Sequence, residues 1–399
     1  MLRLLILAGE PPYPAIHGGQ LDTYRRLLAL HASGVSIILV YWQNNAASHK
    51  PPEEIMSLCD DIIILERRHY RSHLHLLLTR PEWIAQRRIS KSDSAILNKK
   101  INDKKPCAIF LDGIYGATVA LSLKKKFKLP LLYRSHNIEH IYSKIQASRA
   151  SNWRERILLT QNYILMRPLE LKLLKQSDKF FDISGPDLLY WKERGYSNGQ
   201  WLPTSIDADF ATAASSLVDW RPTYEIGYIG NLYAQNNVEG IKWLLLNVIP
   251  IVKKKIPHVK IFIAGSRPSE ILEQLASSAG VTIIANPITM LPWIRNCKVL
   301  VNPIFAGSGV NIKSVEALFS PASLVSTSAG VAGLPADVHS CFAISDNAED
   351  FADHILNALY SNAAASGPDK IRIQAREHFY HENIIDLMGI SNLQKNHVI

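Results

Sequence analysis

The sequence has few cysteines and no long apolar run. Its 399 residues include four cysteines, and because no two form a C-x-x-C pair, neither a disulfide framework nor a zinc knuckle is indicated. Apolar stretches such as 244–246 with 248–252 fall well short of the ~18 residues that a membrane span needs. The apolar start, Leu4–Ala8, runs directly into Gly9-Glu10-Pro11-Pro12 and is too short for a signal peptide. We therefore expect a reduced, cytoplasmic protein without a spanning helix.

Acidic residues are scarce in the first half of the chain. Residues 1–205 carry 30 Lys and Arg against 18 Asp and Glu, whereas the remainder carries 14 against 17, giving a formal net charge of +9. Such an asymmetry predicts that the first half meets a phosphate, an acidic lipid surface or a nucleic acid. The aromatic and basic residues do not interleave as in a known nucleic-acid module, so we do not expect a nucleic-acid partner.

Two familiar ligand signatures are also missing. No G-x-G-x-x-G follows the first apolar run, and three prolines occupy that loop, which argues against a dinucleotide-dependent oxidoreductase. His69 and His73 have the i,i+4 spacing of metal ligands, but neighbouring arginines would repel a cation. We interpret Asp207-Ala208-Asp209 as a helix cap or linker contact rather than a metal motif. No metal and no cofactor are therefore expected.

Short apolar runs alternate with helical patterns, as in an α/β protein with parallel sheets. We predict two Rossmann-like, doubly wound domains that face each other across a cleft at the carboxyl ends of their strands. Their bounds are 1–205 for the N-terminal, acceptor-side domain and 223–370 for the C-terminal, nucleotide-sugar domain, with a linker at 206–222. Helices in 371–399 are expected to pack back on the first domain. Pro168 should break or kink the helical stretch 152–176.

The strongest chemical signal is the glycine-rich stretch 307–313. It follows the predicted strand 299–302 and precedes a helix, so its amides can cradle an anion. Lys313 in the first helical turn opposes the helix dipole, a cost that a bound anion would offset. Glu316 lies on the same face. Spacing alone leaves open whether the two form an ordinary ion pair or bind a ligand.

The order of motifs carries a family resemblance. In sequence they are His17-Gly18-Gly19, Tyr133-Arg134-Ser135-His136-Asn137-Ile138-Glu139, Ile183-Ser184-x-x-Asp187, Tyr228-Ile229-Gly230 with Asn237, Gly307-x-Gly309-x-x-x-Lys313-x-x-Glu316, and Gly330-x-x-Gly333. This set resembles a GT-B fold glycosyltransferase of the "glycosyl transferases group 1" type, glycosyltransferase family 4. The resemblance covers nearly the whole chain.

The resemblance implies a role for each motif. His136 touches the donor sugar and departing phosphate, Lys313 meets the leaving-group charge, and Glu316 holds the ribose. The donor diphosphate and sugar are bound by Gly18, Gly19, Gly230, Gly307, Ser308, Gly309, Val310 and Lys313. Glu316, Ile288 and Arg267 bind the nucleoside, and Arg134, Asn137 and Glu139 lie on the acceptor side. From the residues alone, Arg134 pairs with Glu139 or Glu139 binds the acceptor.

The expected activity is transfer of a sugar from a nucleotide-diphosphate sugar to a glycan or lipid-linked acceptor. By resemblance the enzyme is retaining and metal-independent, and it works in polysaccharide or glycolipid biosynthesis. Ser308 stands where the family usually has a glutamate, and Asn231 follows Gly230 where relatives place a cation. These departures leave open a catalytically silent sugar-nucleotide-binding subunit of a glycan assembly complex.

Peripheral contact with the cytoplasmic face of an anionic membrane is a further expectation. The region from Arg67 to Lys105 mixes apolar residues with many Arg and Lys, as a helix on an anionic membrane would. A solvated helix face explains the same pattern equally well.

Overall fold

The computed structural model describes residues 2–68, 81–148, 150, 152–218, 220–307, 309–361, 369–380 and 384–391. Of these, 2–15, 19–203 and 384–391 form one compact unit, and 16–18 with 204–380 form a second. No helix within these ranges is both long enough and apolar enough to cross a bilayer. His69, His73 and part of the basic segment 67–105 lie outside the described residues, as does Ser308.

The first unit is built on a seven-stranded parallel sheet. Its strands are β1 Arg3–Ala8, β2 Ser36–Gln43, β3 Asp61–Glu66, β4 Ala108–Asp112, β5 Leu131–Ser135, β6 Lys179–Asp182 and β7 Gly199–Trp201. The strand order is β3-β2-β1-β4-β5-β6-β7, and each neighbouring pair is parallel. Leu5 lies opposite Ile38 on one side and Ile109 on the other.

The central strands β1, β2 and β4 are mostly apolar because both faces of the sheet are covered. Leu5 and Leu7 enter one core and Leu4 and Ile6 enter the other, as the two-residue period of a strand requires. The helices of this part of the chain are α1 Gly18–Ala32, α2 Glu53–Met56, α3 Glu82–Ala85, α4 Lys91–Lys104, α5 Ala117–Phe127, α6 Glu139–Ser148, α7 Trp153–Gln176 and α8 Gly185–Glu193, with 3-10 turns at Ala46–Ser48 and Ile114–Gly116.

Pro168 does not end the long helix. Helix α7 continues through it for a full 24 residues, so the expected break does not occur. Met166, Leu173 and Leu174 anchor the helix in the core on both sides of the proline, and this packing outweighs the hydrogen bond that the proline cannot donate.

The second unit has a six-stranded sheet. Its strands are β8 Tyr224–Ile229, β9 Ile261–Gly265, β10 Thr282–Ala285, β11 Cys297–Asn302, β12 Ser323–Ser326 and β13 Ala343–Ile344. They follow the order β10-β9-β8-β11-β12-β13, and all pairs are parallel. The predicted α/β class, with two Rossmann-like doubly wound sheets, is confirmed.

The helices of the second unit include one that the sequence does not suggest. They are α9 Ala208–Ser215, α10 Gln235–Trp243, α11 Ile249–Lys255, α12 Glu270–Ser278, α13 Leu291–Arg295, α14 Ile312–Leu318, α15 Ser328–Val331, α16 Ala336–His339, α17 Ala348–Tyr360 and α18 Lys370–Glu377; a π turn, Leu244–Val248, joins α10 to α11. Helix α9 lies inside the stretch 206–222. Asp207 caps α9 by accepting a hydrogen bond from the Phe210 amide at 2.7 Å.

The final helices divide between the units. Helix α18 is held in the second unit because the buried Arg372 guanidinium donates to four backbone carbonyls, those of Ala317, Leu318, Ser320 and Ala322. Helix α19, Ile384–Met388, belongs to the first unit, where Ile384 and Met388 share a core with Phe181.

Candidate functional site: a lysine turn and a buried aspartate–histidine pair

Lys313, in the first turn of α14, is the central cation of the second unit. Its Nζ donates to the Tyr228 hydroxyl at 2.9 Å and to Asn237 Oδ1 at 3.0 Å, and it lies 4.5 Å from the centre of the Tyr228 ring. Burial lowers the pKa of Lys313 to about 7. Among the described residues no carboxylate forms an ion pair with it. The ammonium is thus held by neutral groups and retains its capacity to neutralise an anion.

Gly230 places the end of β8 against this lysine. Its φ is +154°, and a Cβ there would lie 2.9 Å from the Tyr228 hydroxyl and 3.5 Å from Lys313 Cδ. A Cβ on Gly265, at the end of β9, would lie 1.7 Å from the Gly230 carbonyl oxygen. A side chain at Gly265 would collide with the backbone, and one at Gly230 would displace the Tyr228 side chain from a strained backbone conformation. Glycine at both positions therefore lets the strand ends meet beside Lys313.

The glycine-rich loop before α14 is fixed from two sides. Asn236 Nδ2 donates to the Ala306 carbonyl at 3.1 Å, next to Gly307. Gly309 has φ +64°, and its carbonyl oxygen lies where a Cβ on Gly333 would be, at 1.9 Å. Val310 is half-buried against the core of the second unit. The loop is therefore positioned by tertiary contacts before any ligand arrives.

The nucleoside-side residues occupy three different settings. Glu316 is buried on α14. Arg267 is exposed after β9; its amide donates to Asn286 Oδ1 at 2.8 Å and its guanidinium lies 5.4 Å from the centre of the Tyr233 ring. Ile288, beyond β10, is fully exposed. Arg267 and Ile288 both follow the carboxyl ends of neighbouring strands, where open α/β sheets bind ligands.

Gly18 and Gly19 open helix α1. They occupy its first turn, whose amides have no acceptor within the helix. The preceding loop is tied down because Gln20 Nε2 donates to the Pro11 carbonyl at 3.0 Å. This arrangement presents backbone donors at the start of a 15-residue helix.

A buried cluster of ion pairs lies at the carboxyl ends of β4 and β5 in the first unit. Arg26 donates to Asp22 at 2.5 Å and to both oxygens of Asp112 at 3.3 Å. Arg134 donates to Asp22 at 3.1 Å. His136 Nε2 lies 2.9 Å from Asp112 Oδ1 and 3.6 Å from Asp22 Oδ2. The two aspartates and two arginines cancel in charge, as buried ions must.

This cluster fixes the proton on His136. Burial alone would raise the pKa of Asp112, but the Arg26 guanidinium and the His136 ring hold it at about 2. An ionised carboxylate only accepts hydrogen bonds, so neutral His136 carries its proton on Nε2 and has its lone pair on Nδ1. The His136 side chain is 22% exposed. It can therefore accept a hydrogen bond from a ligand hydroxyl through Nδ1.

Asp22, Asp112 and His136 also satisfy the distances of a metal site, with one ligand atom from each within 4.8 Å of the others. Two guanidinium groups are bonded to the same carboxylates, however. A cation placed among them would face both positive charges, so the donor set fits the arginines better than a metal ion.

The acceptor-side residues of the first unit are more buried than expected. Arg134 is fully buried, bonded to Asp22 and to the Leu202 carbonyl, so it offers no surface to an acceptor and pairs with Asp22 rather than Glu139. Asn137 Nδ2 donates to Glu139 Oε1 at 3.3 Å. Burial and the nearby Glu170 raise the pKa of Glu139 to about 8. Glu139 is consequently protonated at neutral pH.

Sequence reasoning did not find Asp112 or the pair Asp22 and Arg26. Asp112 had a readable signal, since it directly follows the apolar run 108–111 and precedes Gly113, which has φ +81°. Asp22 and Arg26 have i,i+4 spacing on α1, which is common on solvated helix faces. Only the fold reveals that they are buried.

Among known protein families, one family model matches most of the second unit. Residues 223–361 match the family model described as "Glycosyl transferases group 1". This part of the chain is therefore a glycosyltransferase domain of the group 1 type. An "uncharacterized 44.6 kDa protein in cps region" from Klebsiella pneumoniae is 26% identical to it over 371 residues, 90% of this chain and 91% of that protein.

Solved structures extend the similarity of this glycosyltransferase to both units. Sucrose-phosphate synthase from Thermosynechococcus elongatus superposes with a TM-score of 0.71 at 16% identity and covers 99% of each chain. Anabaena HepE in complex with UDP-glucose gives a TM-score of 0.63 at 11% identity and also covers 99% of each chain. At these identities the likeness establishes the GT-B fold.

Proposed function

We propose that this glycosyltransferase moves a sugar from a nucleotide-diphosphate sugar to a glycan or lipid-linked acceptor. The observation that carries the proposal is Lys313, a partly desolvated ammonium beside Gly230 that no described carboxylate neutralises. Departure of a nucleoside diphosphate concentrates negative charge on the leaving oxygen, and a preorganised cation stabilises that charge. The complex of HepE with UDP-glucose supports a donor of this class.

The remaining donor contacts are assigned by chemistry. The amides of Gly18, Gly19, Gly307 and Gly309 donate to the diphosphate. Ser308, which lies outside the described residues, stays a predicted contact of the donor sugar. Glu316 accepts from the ribose hydroxyls, while Ile288 and Arg267 contact the base. His136 Nδ1 accepts from a sugar hydroxyl and orients the anomeric carbon.

The transfer is proposed to retain configuration and to need no metal. The bond from the anomeric carbon to the diphosphate oxygen breaks as the acceptor oxygen bonds to the same face, and the acceptor proton passes to the departing phosphate oxygen. Lys313 and the amides supply the positive charge that a metal provides elsewhere. The engagement of Asp22 and Asp112 by arginines supports this assignment.

We place the activity in polysaccharide or glycolipid assembly at the cytoplasmic face of a membrane. The Klebsiella relative in a cps region supports the pathway class. The excess of Lys and Arg in residues 1–205 supports contact of the first unit with an anionic surface. Of the acceptor-side residues, half-buried Asn137 remains, because Glu139 is buried as Arg134 is.

The test is a panel of UDP-, GDP-, ADP- and dTDP-sugars in thermal unfolding, followed by release of free nucleoside diphosphate from the donor that stabilises most. Binding raises the melting temperature in proportion to affinity. We expect one nucleotide to stabilise the chain and its sugar to be released slowly even without acceptor. Stabilisation without any release favours the silent binding subunit, for which Asn231 after Gly230 is the motivating feature. No stabilisation by any donor contradicts both.

A further inference from the structure

Helix α7 of the first unit carries an exposed apolar stripe. Trp153, Ile157 and Ile164 are 67%, 59% and 60% exposed. At about 100° per residue the three side chains project from the helix within roughly 40° of one another. They border a shallow groove of about 610 Å³ on the same helix. Apolar residues exposed singly are normal, but three aligned on one face form a surface for a partner.

The same face is flanked by positive charge only. Arg156 and Arg167 are exposed on one side of the stripe, and Lys172 is exposed on the other. Lys175 is exposed in the same direction as the stripe, further along the helix. Glu155, the one exposed acidic residue described on α7, projects from the opposite side, and Glu170 is buried. An apolar stripe bordered by cations and free of acids is typical of a helix that lies on an anionic lipid surface.

A basic groove lies beside Lys172. It measures about 820 Å³ and is formed by the end of α5 and the end of α7, with four lysines in its lining, Lys124, Lys125, Lys128 and Lys172. Lys124 is paired with Asp178. Lys125, Lys128 and Lys172 form no ion pair with any carboxylate in the described part of the chain. The groove therefore adds positive charge around Lys172, towards the end of the helix that carries the stripe.

We propose that α7 and the end of α5 form the surface by which this enzyme docks on an anionic membrane. Trp153, Ile157 and Ile164 enter the boundary between headgroups and acyl chains, and the flanking lysines and arginines meet lipid phosphates. This inference rests on the proposed lipid-facing function and gives it a location. The segment 67–105, which is described only in part, stays a separate prediction.

The first experiment measures co-sedimentation of the full chain with vesicles of phosphatidylcholine alone or with 30% phosphatidylglycerol. We expect binding to the anionic vesicles at low salt, weak binding to neutral ones, and release at high salt. Ile157→Asp with Ile164→Asp should reduce binding at least tenfold, and so should Lys172→Glu with Lys175→Glu. The matched control is Leu246→Asp with Ile271→Asp, which alters two equally exposed residues of the second unit and should bind like the wild type.

A second readout locates the contact on the helix. Lipids brominated in their acyl chains should quench tryptophan emission on binding, and Trp153→Phe should remove most of that quenching while leaving sedimentation nearly unchanged. We call the Ile157→Asp, Ile164→Asp and the Lys172→Glu, Lys175→Glu double substitutions the face variants. Equal binding by the wild type and both face variants overturns the proposal, and so does absence of wild-type binding at low salt. A dimer in sedimentation velocity that Ile157→Asp dissociates overturns it too, because a second copy then covers the stripe.

The same variants separate this proposal from the donor chemistry. Each is tested with the UDP-, GDP-, ADP- and dTDP-sugar panel by thermal unfolding, and the face variants should keep the wild-type shift. Loss of vesicle binding with an intact shift supports the docking surface. Vesicle binding without any donor shift leaves the docking surface standing and contradicts the proposed function.

Discussion

Replacing Lys313 by methionine should remove the leaving-group cation while keeping the length of the side chain. Two unit charges about 4 Å apart interact by about 4 kcal/mol at an effective dielectric of about 20. The pKa of Lys313 is lowered to about 7, so about half of the molecules carry a neutral Lys313 at pH 7. Protonating Lys313 in all of them costs about 0.4 kcal/mol, which is subtracted from the interaction energy. Solvent screening of a half-buried group reduces it further. We expect a loss of about 3 kcal/mol, or about 100-fold in kcat/KM.

The assay is release of nucleoside diphosphate from the best donor of the thermal panel, with Lys242→Met as the matched control. Lys242 is an exposed lysine of α10 in the same unit, and its loss should leave the rate unchanged. Near-normal turnover by Lys313→Met would refute the leaving-group assignment, provided that the variant is folded.

Thermal unfolding shows whether Lys313→Met is folded, and the direction of the change in melting temperature at each pH can be predicted. The folded pKa of Lys313 lies below its ordinary value of 10.5, so the folded state holds a desolvated cation below pH 7. That penalty is complete below pH 7 and disappears as the pH rises towards 10.5, because the unfolded state then binds more protons. Lys313→Met should therefore melt higher than the wild type at pH 6 and show little gain at pH 10.

Three further changes test the positioning groups. Asp112→Asn should lower turnover about 10- to 100-fold with little change in KM, and ¹⁵N NMR should show His136 losing its fixed Nε2–H tautomer; an unchanged tautomer contradicts the proton assignment. Glu139→Gln should stabilise the chain more at pH 8.5 than at pH 5. The folded pKa of Glu139 is raised from 4.5 to about 8, so folding of the wild type must bind a proton in this range and its free energy of unfolding falls as the pH rises. Equal effects of the substitution at both pH values contradict the raised pKa. Gly230→Ala should lower the free energy of unfolding by about 1–3 kcal/mol, because the added Cβ would lie 2.9 Å from the Tyr228 hydroxyl on a strained backbone. An unchanged melting temperature together with unchanged UDP binding contradicts the close packing at Gly230.

Local signals in the sequence predict most of the sheets. The predicted strand 299–302, for example, lies within β11, Cys297–Asn302, because an apolar run marks it. Helix α9 has no clear period and was missed. Of the two interpretations offered for Asp207, a helix cap or a linker contact, the structure shows the cap. The break expected at Pro168 does not occur, because packing of the flanking residues overrides local propensity.

The candidate site is predictable only where its chemistry is local. The glycine-rich turn and Lys313 are adjacent in sequence and can be read directly. The partners of Lys313 are 85 and 76 residues away, and Asp22 lies 112 residues from Arg134. Such pairings depend on which strands become neighbours. Arg134 at a strand end therefore looks solvent-facing in the sequence but is sealed by Asp22 in the fold.

We propose that the Lys313 turn binds the donor diphosphate and that the glycine amides at the start of α1 also donate to a donor phosphate. Hydrogen–deuterium exchange with and without saturating nucleoside diphosphate, the one selected by the thermal panel, tests it most directly. We expect slower exchange in peptides covering both 16–22 and 305–316, and loss of both effects in Lys313→Met. Slower exchange in only one of these segments, or in neither, would contradict it.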